Sequence, residues 1–321
     1  MSGGTPGAGA TRPRHVVFGA GAVGLALVES LVARGEQGIR VVHRSGSARV
    51  PDGVEVVAGD ARDPAFTTAV TEGARVVYQV LNPAYDRWAA EFPALQDGVL
   101  AAAEHARARL VCMENVYLYG RPDGRPLTED RPLGAPTRKG AVRARMAADL
   151  LAAHAAGRVE VAVGRASDYY GPRAGAQSNL GDGVFRAALA GGTARVLGDP
   201  DQPHTYTFVP DVAEGLAVLG EHPDAPGRVW HLPNDPSAAT TRDLVRTVFG
   251  LAGHGAARVR STPWPLLRAV GLVNPTVREL VEMRYEFEEP FLVDGSRITR
   301  ELGVRATPYA EGLARTLGTY R

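Results

Sequence analysis

The chain has 321 residues, of which 45% are hydrophobic and 22% are charged; these values are typical of globular proteins and exclude a disordered or fibrous chain. Its 36 Lys and Arg residues balance 35 Asp and Glu residues, and the net charge of +1 excludes general attraction to nucleic acids or membrane surfaces. No apolar run could span a membrane and the first residues lack a signal-peptide core, so we expect a cytoplasmic protein with a small-molecule substrate.

Metal-ligating residues are sparse and scattered. Cys112 is the only cysteine and lies in an apolar run, which is typical of a buried, inert thiol. None of the 8 histidines forms an HExxH motif. We therefore expect neither a disulfide nor a metal.

Strands and helices alternate along the first half of the chain. We predict strands at HVVF, IRVVHRS, VEVVAGDARD, RVVYQVLNP, RLVCMENV and VEVAVGRAS, separated by helices at AVGLALVESLVARG, FTTAVTEGA, Trp88 to Ala106 and Gly140 to Ala156. This alternation predicts an α/β fold: a doubly wound parallel sheet (Rossmann) with a smaller C-terminal substrate lobe.

The composition changes at Asp168, where glycine-rich and proline-rich stretches begin. We predict a flexible N-terminal tail at 1–13, a dinucleotide-binding domain at 14–167 and 205–235, and a substrate-binding lobe at 168–204 and 236–321.

Three glycines follow the first strand with the spacing GxGxxG. Gly19, Gly21 and Gly24 stand between a predicted strand and a predicted helix. Glycines in that context allow a tight turn whose free N–H groups, together with the positive end of the helix, hold a pyrophosphate. The pattern predicts a dinucleotide-binding turn.

The end of the second strand indicates which dinucleotide is bound. Sites for NAD place a carboxylate there to bind the ribose 2′-hydroxyl, but this chain has His43, Arg44 and Ser45. The Arg44 guanidinium offers a fork of donors that suits a 2′-phosphate. We therefore predict NADP(H), the alternative being that Arg44 is a solvated surface arginine.

Five segments together resemble an extended short-chain dehydrogenase/reductase of the NAD-dependent epimerase/dehydratase family. They are GDARD, ENVYLYG, GRASDYYGPR, LGDPDQPHTYTFVPDVAEGLAVL and FLVDGSRITRELGVRATPYAEGL, the last of which is similar to the C-terminal motif of the family. The resemblance covers nearly the whole chain. It implies a homodimer formed through the two long helices, and it places His204, Tyr206 and Arg173 in segments that line the substrate lobe.

The resemblance also implies which residues contact the cofactor. Asp60 and Ala61 look like the adenine-contacting loop, and Arg143 takes the place of the residue that grips the nicotinamide ribose. The full set of expected contacts is Gly19, Gly21, Ala22, Val23, Gly24, His43, Arg44, Ser45, Asp60, Ala61, Leu81, Asn82, Arg143 and Ser167.

The chain departs from the family in its proton relay. The family uses a Tyr-x-x-x-Lys pair with a Ser or Thr at the end of the fifth strand. Here Lys139 stands at the Tyr position, Arg143 at the Lys position and Asn115 at the Ser or Thr position. The resemblance is therefore to atypical members of the family, and it does not assign a mechanism.

Two residues are candidates for the missing proton donor. Lys139 is the single lysine of the chain, and a desolvated ammonium could work as an acid, although a lysine at a helix start can also be simply solvated. Tyr117 follows Asn115 by two residues, which on a strand means the same face. A phenol at that place either enters the cleft or lies beneath the cofactor. The predicted catalytic residues are thus Lys139, Tyr117, Asn115 and Arg143.

Three functions remain open at this point. The leading prediction is an NADP(H)-dependent oxidoreductase that reduces a carbonyl or activated alkene of a small organic substrate. The first alternative is a sugar-nucleotide epimerase or dehydratase. The second is a catalytically silent protein that senses NADP(H).

Overall fold

The computed structural model describes residues 13–321, and its centre is a parallel sheet of seven strands in the order β3-β2-β1-β4-β5-β6-β10. The strands of the chain are β1 His15–Phe18, β2 Ile39–His43, β3 Glu55–Ala58, β4 Val76–Gln79, β5 Arg109–Asn115, β6 Val161–Ala166, β7 Asp168–Tyr170, β8 Thr193–Val196, β9 Tyr206–Phe208, β10 Val229–His231 and β11 Arg258–Ser261.

Helices cover both faces of this sheet. The α-helices of the described residues, some of which belong to the C-terminal part, are α1 Ala22–Ala33, α2 Pro64–Thr71, α3 Trp88–Ala106, α4 Arg138–Ala155, α5 Asp182–Leu189, α6 Val209–Glu221, α7 Thr241–Leu251, α8 Trp264–Gly271, α9 Pro275–Glu282, α10 Tyr285–Glu288, α11 Ser296–Leu302 and α12 Tyr309–Gly318. Helices α1 and α6 pack together on one face, and α2, α3 and α4 form a layer on the other. The predicted doubly wound Rossmann sheet is confirmed.

The sequence of β1 shows why the sheet is covered on both sides. All of its residues are buried, because side chains alternate between the two faces and each face carries helices. Val17 belongs to the core beneath α1 and α6, whereas Val16 belongs to the core beneath α3 and α4. A strand of this kind has no polar face, which is what the run HVVF indicates.

A second part of the chain has its own core. Strands β7 and β9 pair in parallel, β8 pairs with β11, and α5, α7 and α12 enclose a third apolar cluster that includes Phe185, Phe208 and Phe249. The predicted domain limits stay a prediction, and the predicted tail, residues 1–12 in particular, lies outside the described residues. No helix among those residues is long and apolar enough to cross a membrane.

The strand order creates a crevice at the carboxyl edge of the sheet. The chain adds β2 and β3 on one side of β1 and then places β4 on the other side. The loops after β1 and β4 therefore diverge, and a ligand in an open α/β sheet binds at such a switch point. The candidate functional site lies there.

Candidate active site

The turn after β1 has the geometry of a phosphate cradle. Gly19 adopts φ +116°, and a Cβ atom there would stand 2.8 Å from the Val80 carbonyl oxygen. A Cβ atom on Gly24 would lie 2.0 Å from the Gly19 carbonyl oxygen, so only glycine lets α1 begin against this turn. Gly21 faces open space, where a ligand has room to approach the backbone.

The remaining residues predicted at this turn surround the start of α1. Ala22 and Val23 are its first two residues, so their backbone N–H groups have no partner within the helix. Leu81 and Asn82 follow β4, the neighbour of β1 on the other side of the crevice. These residues fit the pyrophosphate and the adjoining ribose of a dinucleotide.

The end of β2 forms one wall of a groove of about 750 Å³. His43 and Arg49 line this groove, and Arg173 reaches it from the loop after β7, where it pairs with Glu29 of α1. Ser45 Oγ lies 3.1 Å from His43 Nδ1, and the Arg44 side chain is exposed. Hydroxyl and guanidinium donors thus stand where the sequence predicts a 2′-phosphate.

Asp60 and Ala61 follow β3 on the same edge. The Arg62 guanidinium bonds the Asp60 carboxylate, with Nε to Oδ1 at 3.0 Å, and this contact lowers the pKa of Asp60 to about 2. Arg44 also lowers that pKa, so its guanidinium lies in the field of Asp60. Asp60 is therefore ionised near neutral pH and is available as an acceptor.

The end of β5 differs in one respect from the prediction. Strand β5 ends at Asn115, and Tyr117 begins a 3-10 turn that runs to Tyr119, so Tyr117 does not share a strand face with Asn115. The Asn115 carboxamide oxygen accepts a hydrogen bond from the Tyr117 N–H at 3.3 Å. This bond turns the chain out of the sheet. The Tyr117 ring consequently stacks on Trp88, with centroids 5.9 Å apart.

Lys139 is buried rather than solvated, with 3% of its side chain exposed. Its Nζ lies 3.3 Å from Glu279 of α9, donates to the Tyr85 carbonyl oxygen, and stands 3.9 Å above the Tyr85 ring. Burial lowers the pKa of Lys139, while Glu279 acts in the opposite direction. The structure thus joins the start of α4 to α9 through this lysine, and the proposed catalytic role stays a prediction.

Arg143 points into the protein interior. Its guanidinium donates to the Met113 carbonyl oxygen at 3.3 Å, lies 3.8 Å from the Glu114 carboxylate and faces the Phe92 ring at 4.6 Å. Glu114 in turn accepts from Arg165 Nε at 2.9 Å. These contacts tie α4 to β5 and β6, and a ribose contact by Arg143 stays a prediction.

One contact that the sequence did not predict joins the segment after β6 to the segment before β9. Ser167 donates to the Thr205 carbonyl oxygen at 2.7 Å and so holds the segment before β9 against β6, and its expected contact with the cofactor stays a prediction. This contact brings His204 Nε2 to 3.0 Å from the Asp168 carboxylate. The sequence contains both residues, but it gave no sign that they meet, because the pairing of β7 with β9 that brings their segments together was not predicted.

A group of metal-ligating side chains lies far from this edge. Within the described part of the chain, His15, Glu36 and Glu221 bring ligand atoms within 4.8 Å of one another at the amino end of β1. His15 Nε2 already bonds Glu36, and Arg75 pairs with Glu221. No metal is expected at the candidate site, and that expectation stays a prediction.

Comparison with known proteins now bears on the site. A model of the NAD dependent epimerase/dehydratase family matches residues 16–232, which include the glycine turn, the end of β5 and the Asp168–His204 pair. The chain belongs to this family. The resemblance inferred from the sequence is thus confirmed.

Relatives and solved structures agree with the family. A dTDP-glucose 4,6-dehydratase of Streptomyces griseus is 28% identical over 221 residues, 68% of this chain and 61% of that protein, so the chain spans less than two thirds of it. A dTDP-glucose 4,6-dehydratase from Streptomyces venezuelae, solved with NAD, has a TM-score of 0.75 and 22% identity over 96% of this chain and 97% of that one. A UDP-glucose 4-epimerase from Thermotoga maritima, solved with UDP-glucose, has a TM-score of 0.77 and 16% identity over 96% of this chain and 98% of that one. At these identities the two structures show a shared fold.

Family membership bears on the three functions left open by the sequence. Membership of the NAD dependent epimerase/dehydratase family supports an enzyme of the epimerase/dehydratase kind with a nicotinamide dinucleotide as its cofactor. These findings support the epimerase/dehydratase alternative better than carbonyl reduction, and they give no support to a silent sensor.

Proposed function

We propose that this enzyme is an epimerase or dehydratase that uses its nicotinamide dinucleotide to oxidise a hydroxyl-bearing carbon of a sugar-nucleotide substrate and then reduces the product again. The observation that carries the proposal is the glycine cradle at the switch point of a sheet that belongs to this family. The relatives named above act on dTDP-glucose and UDP-glucose, which makes nucleotide-linked hexoses the first substrates to test.

The residues of this chain supply binding and orientation. Gly19, Gly21 and the first N–H groups of α1 hold the pyrophosphate, and the bound dinucleotide supplies hydride acceptance and donation. Burial raises the pKa of Tyr117 well above its ordinary value, so its phenol is protonated near neutral pH and can donate to a substrate oxygen. We propose that Asn115, Tyr117, Lys139 and Arg143 surround the reacting group, directly or through their neighbours.

We further propose that NADP(H) is preferred over NAD(H). Arg44 and Ser45 provide donors at the end of β2, where a carboxylate would repel a 2′-phosphate. This preference also favours the second candidate function, the reduction of a carbonyl or activated alkene, since a reductase consumes the dinucleotide.

One experiment separates the two functions. The purified enzyme is incubated with dTDP-glucose or UDP-glucose, and in parallel with a set of simple ketones and enones, in the presence of either dinucleotide in either redox state. A new sugar product without net change in reduced nicotinamide absorbance supports an epimerase or dehydratase. Net oxidation of NADPH by a ketone or enone supports the reductase. If the enzyme forms no new sugar product and oxidises no NADPH, both proposals are contradicted.

A further inference from the structure

A carboxylate that the sequence analysis did not single out stands at the carboxyl edge of the sheet. Asp168 is the first residue of β7 and follows the end of β6 after one intervening residue. Strands β5 and β6 are parallel neighbours, so Asp168 lies beside the end of β5, where Asn115 and Tyr117 are found. Its side chain is 22% exposed, so the carboxylate is partly open to solvent.

His204 is hydrogen-bonded to this carboxylate from the protein interior. Its Nε2 lies 3.0 Å from Asp168 Oδ2, and its Nδ1 lies 3.0 Å from the Glu286 carbonyl oxygen. The ring stacks on Phe287 with centroids 5.8 Å apart and on Phe291 at 5.5 Å, and it is 4% exposed. Both nitrogens are engaged and the ring is buried against two phenylalanines, so its orientation is fixed.

The partners of His204 determine how many protons the pair holds. The Glu286 carbonyl oxygen can only accept, so Nδ1 carries a hydrogen. An ionised Asp168 can also only accept, so Nε2 then carries a second hydrogen; otherwise the carboxyl itself is protonated and donates to Nε2. In either arrangement the pair contains one proton more than a neutral ring beside a carboxylate.

The phenols and the carboxyl group around Asp168 already hold their protons near neutral pH. The titratable neighbours are His204, Tyr85, Tyr117, Tyr169, Tyr206 and Glu286. Burial first, and the Asp168 charge in addition, raise the pKa of the four phenols. The same two causes raise the pKa of Glu286 well above its usual range, and its Oε1 has no hydrogen-bond partner among the described residues. Asp168 is the carboxylate of this set that is both partly exposed and hydrogen-bonded to a histidine.

We propose that Asp168 is a catalytic acid–base residue of this enzyme and that His204 is its positioning residue. The inference rests on the proposed function, because it assigns a group to the oxidation of a substrate hydroxyl. The substrate O–H bond breaks and its proton passes to the ionised Asp168 carboxylate, which requires the arrangement with two N–H groups on His204, while the C–H bond breaks and its electron pair leaves as hydride to an oxidised nicotinamide dinucleotide. A carbonyl forms, and the reverse transfers return proton and hydride. The dyad thereby replaces the tyrosine that the chain lacks at position 139.

The shared proton can be tested on the protein without substrate or cofactor. Nitrogen NMR of the histidine rings, together with carbon NMR of the aspartate carboxyls, reports where protons lie near neutral pH. We expect two N–H groups on His204 beside an ionised Asp168, and in Asp168→Asn a ring protonated on Nδ1 alone. A protonated Asp168 in the wild type would leave no acceptor for the substrate proton and would refute the role as a base. A neutral ring beside an ionised carboxylate in the wild type would overturn the proposal.

The chain offers a matched control for this measurement. His222 Nδ1 and Asp224 Oδ2 form an Asp–His pair 3.9 Å apart at the surface, where the Asp224 side chain is 77% exposed. Asp224→Asn removes a carboxylate beside a histidine without touching the cleft. We expect the His204 signals to be unchanged in this variant.

Kinetic measurements then show whether Asp168 acts in catalysis or only stabilises the structure. Asp168→Asn keeps size and hydrogen bonding, and we expect kcat to fall by about 10²–10⁴, the usual contribution of a positioned acid or base, with dinucleotide affinity unchanged. Asp168→Glu should recover part of the rate, and His204→Gln should shift the pH profile of kcat. Wild-type turnover in Asp168→Asn would refute the assignment. If the wild type converts no nucleotide-linked hexose, the proposed function fails, and the NMR result still decides the dyad.

Discussion

At the scale of single residues, Arg44 determines the predicted choice of dinucleotide. Its guanidinium is exposed at the end of β2, close enough to Asp60 to influence the pKa of that carboxyl. In Arg44→Asp the new carboxylate would repel the 2′-phosphate of NADPH, whereas it could accept a hydrogen bond from the ribose 2′-hydroxyl of NADH. Calorimetric titration should show a large rise in the Kd of NADPH and a small change for NADH. The exposed Arg145→Asp serves as control, and equal changes for both dinucleotides in Arg44→Asp would contradict the prediction.

Lys139 gives a second prediction at this scale. Its ammonium is buried against Glu279, and Lys139→Ala would remove the donor to the Tyr85 carbonyl oxygen and leave the Glu279 carboxylate, 14% exposed, with Arg138 at 3.9 Å as its ion-pair partner. Unsatisfied buried groups cost about 1–3 kcal/mol, so the free energy of unfolding should fall by about that amount. Denaturant unfolding of Lys139→Ala, Glu279→Ala and the double variant measures the coupling. Additive losses would show that the two side chains do not interact.

At the scale of elements, the turn between β1 and α1 separates two roles of glycine. Gly24→Ala would drive a Cβ atom to 2.0 Å from the Gly19 carbonyl oxygen, so both Tm and dinucleotide affinity should fall. Gly21→Ala meets no atom within 4 Å, so its Tm should stay at the wild-type value while affinity falls because the methyl group occupies the approach to the pyrophosphate. A Gly21→Ala protein that binds NADPH like the wild type would contradict this account of the cradle.

The same scale shows what the sequence could predict. The alternation of HVVF with a helical repeat predicts β1 and α1, because local spacing decides both. The contacts of Glu114 with Arg165 and of Asp168 with His204 join residues 51 and 36 positions apart, and no local pattern encodes them. The burial of Lys139 could not be predicted from the sequence, since a lysine at a helix start is ordinarily solvated. This lysine is buried because α9 packs against the turn at Tyr85.

At the scale of the whole molecule, a buried polar chain links the parallel sheet to the C-terminal part. Arg165 donates to the Tyr119 hydroxyl at 2.7 Å, so that hydroxyl donates to His231 Nε2 at 2.8 Å. His231 Nδ1 donates to the Asp294 carbonyl oxygen at 3.0 Å, which fixes a neutral ring. The ends of β5, β6 and β10 are thereby held together.

The buried hydrogen bonds of His231 predict that the stability of the protein depends on pH. Burial lowers the pKa of His231 from 6.5 to about 4, so the unfolded protein takes up this proton before the folded protein does. Stability should therefore decline as the pH falls from about 6.5 towards 4, by an amount of the order of 3 kcal/mol. Unfolding of the wild type and His231→Gln across this range is the test. Parallel curves for the two proteins would contradict the assignment of this loss to His231.

Everything proposed for this enzyme depends on a nicotinamide dinucleotide at the carboxyl edge between β1 and β4. The most direct measurement is a calorimetric titration of the wild-type protein with NADPH and, separately, with NADH. The account predicts one site per chain, with tighter binding of NADPH than of NADH. Failure of both dinucleotides to bind would contradict it.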